Sequence, residues 1–159
     1  MATYQQLFNL CKKKFNISWL YGQSHANEKL FLTEKAKQYP TLCVGFLNII
    51  HPDRLHIIGP AEIEFFNQIS HDARIGFLQK LVDNKSLGLV VCLDLALPDD
   101  MIQPLIDTNL PVFGTSEPPE KVLTFVRHNI VKLLAPSCSM HGVFMDVFGM
   151  GILLSGQSG

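Results

Sequence analysis

Charge is scarce in this sequence. Only 17% of its 159 residues are Asp, Glu, Lys or Arg, against roughly 25% in ordinary globular chains. Surface of that kind is often covered by other subunits or domains. The net charge of −1 provides no general basic field, which excludes nucleic-acid binding by bulk electrostatics. Lys12-Lys13-Lys14 is the one basic cluster, and a solvated helix face accounts for it. Cysteine is also sparse: Cys11, Cys43, Cys92 and Cys138 are far apart and form no C-x-x-C pair. Cys43 and Cys92 lie within apolar runs, as small buried hydrophobes do. This usage excludes a disulfide framework and indicates a reducing compartment. No apolar stretch reaches the roughly 18 residues that span a bilayer, and the N-terminus shows no secretory pattern. The expected location is therefore cytoplasmic, without membrane or nucleic-acid partners. His25, His51, His56, His71 and His128 have no metal-ligand spacing, so no metal site is expected and these five are read as structural or surface residues.

What the sequence does have is apolar content, 47% of residues, enough for one packed domain and part of another. Thr3 with Gln6 resembles a capping box, and Leu7, Leu10, Cys11 and Phe15 follow at helical spacing, predicting a helix from about residue 4 to 14. Residues 17–38 show no clean period, and Thr41–Ile50 is an apolar block of uncertain type. From Arg54 onward the text becomes regular. Arg54–Ile58 reads as a strand ending at Gly59-Pro60, with Pro60 suited to the first helical position and Glu62 and Glu64 to the helix N-terminus. A helix over Asp72–Val82 carries Ile75, Leu78 and Val82 on one face. Leu87–Leu93 is a continuous apolar run of the kind found in buried parallel strands. A helix after Pro98-Asp99, with Ile102, Leu105 and Ile106, leads to a strand at Leu110–Phe113. Ser116, Pro118, Pro119 and Glu120 start a helix with a stripe of Val122, Phe125, Val126, Ile130 and Leu133.

Alternation of this kind predicts an α/β fold, a parallel sheet flanked by helices, over residues 1–134. The pattern changes at Pro136-Ser137. Val143–Phe148 and Met150–Leu154 read as two strands joined at Gly149, the start of a second unit over 135–159. The second strand runs into Gly156-Gln157-Ser158-Gly159. An apolar strand feeding such glycines is the layout in which backbone N–H groups surround a phosphate. The rest of that pattern (a further residue, Gly, Lys, and Ser or Thr) would lie beyond Gly159. The expectation is a piece of a longer phosphoryl-transfer enzyme.

The segment His141-Gly142, Asp146-Val147-Phe148-Gly149, Gly151–Ser155 and Gly156-Gln157-Ser158-Gly159 resembles the start of the catalytic domain of bacterial HPr kinase/phosphorylases. Asp53-Arg54-Leu55-His56-Ile57-Ile58-Gly59 with Glu62 is similar to a segment of the same family's N-terminal domain. The commonest loop in that family carries Asp at the place of Gln157. The resemblance implies an N-terminal α/β domain like that of Mur ligases, then the first strands of a truncated P-loop kinase domain. It also implies an enzyme that phosphorylates, with ATP and Mg²⁺, and dephosphorylates a Ser of the phosphocarrier HPr, regulating the phosphotransferase system and carbon metabolism, and that assembles as a hexamer. On this reading His141 is the active-site histidine, and Gly156, Gln157, Ser158 and Gly159 contact the nucleotide. The 159-residue chain alone is expected to be inactive and to bind no cofactor.

Asp146, between Met145 and Val147, either supports that site or faces solvent. Asp94, Glu62 and Glu117 fall near strand ends or first helical turns, where ligands of open α/β sheets bind. Capping and dipole roles also account for Glu62 and Glu117. The alternative function is a stand-alone α/β module that binds a small ligand or a partner protein at the C-terminal edge of its sheet.

Overall fold

The computed structural model describes residues 2–135, 142–147 and 150–155. Helix α1 spans Tyr4–Lys12, and the expected capping box is present: the Gln6 N–H donates to Thr3 Oγ1 at 3.3 Å and the Thr3 N–H to Gln6 Oε1 at 2.9 Å. Strand β1 (Ile17–Tyr21), the short helix α2 (Glu34–Gln38) and strand β2 (Val44–Phe46) follow. Then come β3 (Leu55–Ile58), α3 (Pro60–Gln68), α4 (His71–Asp83), β4 (Gly88–Val91), α5 (Asp99–Thr108), β5 (Val112–Thr115) and α6 (Pro119–Leu134). Strands β6 (Gly142–Val147) and β7 (Met150–Ser155) form a separate two-stranded sheet.

The main sheet has the order β1-β5-β4-β3-β2. Strands β2 to β5 are parallel, and β1 is antiparallel to β5 with an irregularity between Trp19 and Tyr21. The fold is thus the expected α/β sheet flanked by helices, with one antiparallel edge strand added. Side-chain alternation divides the core between the two faces of the sheet. Leu55, Ile57, Val90 and Phe113 face a cluster with Leu7, Phe8, Cys11, Val122, Val126 and Ile130 from α1 and α6. Ile58, Leu89, Val91 and Val112 face Phe66, Phe77, Leu78, Leu81, Met101 and Leu105 from α3, α4 and α5. Burying each such large apolar side chain stabilises the fold by about 1.5–3 kcal/mol.

Several details depart from the sequence expectation. In α4 the buried face is Phe77, Leu78 and Leu81; Ile75 and Val82 are only partly covered. In α5 it is Met101 and Leu105, while Ile106 is exposed. Both helices therefore sit rotated about one position from the apolar stripe, because the sheet receives Phe77 and Met101. The β2-to-β3 connection, residues 47–54, is a loop with no helix.

Two further contacts fix the architecture. Arg74 ties three helices together: its Nη1 donates to the carbonyls of Phe66 (2.9 Å) and Ile69 (2.8 Å), and its Nε and Nη2 donate to Asp100 (3.0 and 2.6 Å). Those Arg74 hydrogen bonds, with another from His71, hold the Asp100 carboxyl below its ordinary range. At the start of β4, Gly88 has φ +121°, and a Cβ there would lie 2.3 Å from the Pro111 carbonyl oxygen. No residue with a side chain fits this crossing of β4 and β5.

His56, in the middle of β3, is fully buried. Its Nε2–H donates to the Pro52 carbonyl at 3.1 Å, while Nδ1 has no partner among the described residues. Burial pushes its pKa below the ordinary value, so the folded state holds the neutral ring. The unfolded chain binds a proton near pH 6.5, so below that pH it carries the extra proton and stability falls as the pH falls. Denaturant titrations at pH 8 and pH 5 should show this loss reduced in His56→Gln, whose side-chain amide can still donate to Pro52. Equal losses in the two proteins would show that His56 does not carry the effect.

Candidate functional site

The C-terminal ends of β3, β4 and β5 converge on one edge of the sheet, where α3 and α6 begin. Each of these strands ends in a distinct way. After β3, the Gly59 N–H donates to Glu62 Oε2 at 2.9 Å, so Glu62 caps the N-terminus of α3. After β4, the Cys92 N–H extends the ladder to the Ile58 carbonyl at 2.9 Å. Leu93 and Asp94 then both adopt left-handed backbone, with φ +57° and +51°. This conformation costs a non-glycine residue about 1–3 kcal/mol. It is held by the Leu93 N–H on the Glu117 carbonyl (3.1 Å) and the Asp94 N–H on the Thr115 carbonyl (3.0 Å). After β5, buried Thr115 accepts the Glu117 N–H at its hydroxyl (3.2 Å), and the Glu117 carboxylate pairs with Lys121 at 2.9 Å.

Beside this edge, the loop after β2 and the first turns of α3 enclose a cleft of about 300 Å³. Leu47, Ile49, Phe65 and Phe77 line it, with Glu62 at its rim. Ile49 and Phe65 are exposed there, and the neighbouring Ile50 is 76% exposed. The edge therefore combines apolar surface with the carboxylates of Glu62, Asp94, Glu117 and Glu120. These charges oppose an anionic ligand despite the two helix N-termini. Cys92 is no nucleophile: burial, and then the charges of Glu62 and Glu120, push its thiol up to about 12. Burial likewise raises the thiols of Cys11 to about 12 and of Cys43 to about 11. Among the described residues this arrangement can bind an apolar or neutral surface, and no nucleophile–base pair is assembled.

The sequence-predicted Glu62, Asp94 and Glu117 do come to this edge. Glu62 and Glu117 are committed to a cap and an ion pair, and Asp94 is exposed. The exposed Ile49-Ile50 pair was visible within the apolar block at Thr41–Ile50, but nothing in that block's composition marked it as surface. The left-handed pair Leu93-Asp94 leaves no sequence signal, since neither a leucine nor its position announces positive φ. His141, Gly156, Gln157, Ser158 and Gly159 lie outside the described residues. Asp146 stands opposite Gly151 in the β6–β7 pairing. That antiparallel register pairs Gly142, the residue after His141, with Ser155, the residue before Gly156.

A family model described as "HPr Serine kinase N terminus" matches residues 4–130. The chain belongs to the HPr serine kinase N-terminal family. The matched span runs from the first residue of α1 to near the end of α6. Relatives named HPr kinase/phosphorylase align over 157 residues, so their likeness extends through β6 and β7. The protein from Paraburkholderia phymatum is 32% identical over 98% of this chain and 48% of its own length. That from Xylella fastidiosa strain M12 is 25% identical over 99% and 49%, and that from Xanthomonas axonopodis pv. citri is 24% identical over the same shares. The chain thus spans about half the length of the relatives it matches.

The buried state of the thiols in this HPr-kinase unit gives a direct check. Site-resolved alkylation at pH 8, read by mass spectrometry, should label Cys11, Cys43 and Cys92 at least about 100-fold more slowly in the folded chain than in urea, because exposure and thiolate fraction both govern the rate. Fast labelling of Cys92 in the folded chain would contradict its assignment as a packing residue.

Proposed function

We propose that this chain is the N-terminal half of a bifunctional enzyme that phosphorylates and dephosphorylates a serine of the phosphocarrier HPr. The observation that carries the reading is the family match over residues 4–130, together with relatives of that name aligned through the β6–β7 hairpin at about half their length. The hairpin register supports it, because the residue after His141 pairs with the residue before Gly156. On this reading residues 1–134 are an α/β binding unit and residues 135–159 begin the catalytic unit.

In the complete enzyme, ATP would supply the phosphoryl group and Mg²⁺ would offset the charge that moves with it. Gly156, Gln157, Ser158 and Gly159 would hold the nucleotide phosphates through backbone N–H groups, since glycine allows a close approach. His141 would hold or pass a proton in that reaction, as an imidazole can near neutral pH. In the reverse direction an oxygen of inorganic phosphate would attack the phosphorus of phosphoserine and break the serine O–P bond, giving pyrophosphate and a serine hydroxyl that takes up the proton. A homo-hexamer, a cytoplasmic location and control of carbon uptake through the phosphotransferase system belong to the same proposal. A second reading, a stand-alone binding module, draws on the apolar cleft and the left-handed pair at the C-terminal sheet edge. Both readings give the α/β unit a binding role.

The test is an HPr phosphorylation assay with ATP and Mg²⁺ on the product of the complete coding sequence. Phosphate should appear on an HPr serine, and His141→Ala should lower the rate by roughly 10²–10⁴-fold while HPr binding persists. The 159-residue chain alone should neither transfer phosphate nor bind ATP in a calorimetric titration. Failure of the complete protein to modify HPr would leave the binding-module reading in its place.

A further inference from the structure

The chain has three arginines, Arg54, Arg74 and Arg127. Among the described residues only Arg74 has a carboxylate partner. The other two, although far apart in sequence, converge on Gly45 in β2, one of the two outer strands of the sheet. A Cβ on Gly45 would lie 3.3 Å from Arg54 Nη1 and 3.7 Å from Arg127 Nη2. Two guanidinium nitrogens thus sit within 4 Å of one point beside the strand. Arg127 is held in place, its Nε donating to the Val44 carbonyl at 3.3 Å. Arg54 is fixed at the start of β3, where its own carbonyl accepts from Ser86 Oγ (3.0 Å) and the Leu87 N–H (3.2 Å). The nearest acidic neighbour in sequence, Asp53, forms no ion pair with either guanidinium among the described residues.

Two unpaired cations facing one another repel. The arrangement is stabilised when an anion lies between them, and guanidinium groups donate in the plane that phosphate oxygens accept, at about 2.7–2.9 Å. Two guanidiniums from separate elements match a doubly charged tetrahedral oxyanion better than a single carboxylate, which one arginine can fork by itself. We infer that Arg54 and Arg127 form a phosphate-binding site at the open β2 edge of the sheet, for inorganic phosphate or the phosphate group of a monoester. Its two arginines are not among the residues of the acidic C-terminal edge. It stands whether or not the complete protein acts on HPr. The competing role for arginines here is protection of the open edge against strand addition, which requires no ligand.

The test reads each arginine separately. In the ¹⁵N-labelled 159-residue chain, titration with inorganic phosphate should shift the side-chain Nε–Hε signals of Arg54 and Arg127 along one saturating curve, leaving Arg74 in place. Arg127→Gln should weaken binding at least tenfold and abolish the Arg54 shift while the amide spectrum stays that of the folded chain; Arg54→Gln should act reciprocally on Arg127. Tighter binding of phosphoserine than of phosphate identifies a monoester as the occupant, and equal or weaker binding identifies free phosphate. Non-saturating shifts, or shifts shared equally by Arg74, would reduce the pair to edge protection and overturn the site.

Discussion

Strands β3 and β4 are buried on both faces, and the rest of the molecule is arranged to meet that constraint. A strand apolar on both sides must have helices on both sides. Alternate residues of β3, β4 and β5 therefore feed two cores, one shared with α1 and α6 and the other with α3, α4 and α5. The short parallel strands bring the strand–helix turns to a single edge. The covering helices leave only the outer sides of β1 and β2 unpaired within the main sheet.

The candidate binding features lie along these borders rather than in the core. The C-terminal edge is apolar and acidic, with a cleft beside Phe65 and a strained turn at Leu93-Asp94. The β2 edge is basic, with Arg54 and Arg127 over Gly45. Neither border assembles a nucleophile with a base among the described residues, and the buried thiols are held in their protonated form. A unit of this kind suits recognition. In the proposed enzyme the chemical groups belong to the segment around His141 and Gly156–Gly159.

How much of this was readable in the sequence depended on element length and on what each element packs against. The runs from Arg54 to Leu134 were legible because continuous apolar runs alternate there with helical patterns, and Pro60, Glu62 and Pro119 marked helix starts. Strand β1 was not, because five residues, Ile-Ser-Trp-Leu-Tyr, set at a sheet edge among loops leave too short a period to detect. Strand β2 is shorter still and includes Gly45. The rotation of α4 and α5 reflects the sheet surface, which the helix sequence does not record. At the candidate site, Glu62, Asp94 and Glu117 could be placed at strand ends by counting. The approach of Arg54 to Arg127 is set by the packing of α6 across the sheet, and no spacing in the chain signals it. Family resemblance supplied what periodicity did not, the proposed role of His141, whereas the closing glycines were read first from the strand-then-glycine layout.

The most direct test of the account is to read the coding sequence beyond the codon for Gly159. Membership of a phosphoryl-transfer enzyme requires one further residue, then Gly, Lys, and Ser or Thr, because the lysine and hydroxyl complete the phosphate loop. A stop codon at that point, or a continuation without the lysine, would contradict the assignment of this chain as the first half of an HPr kinase/phosphorylase.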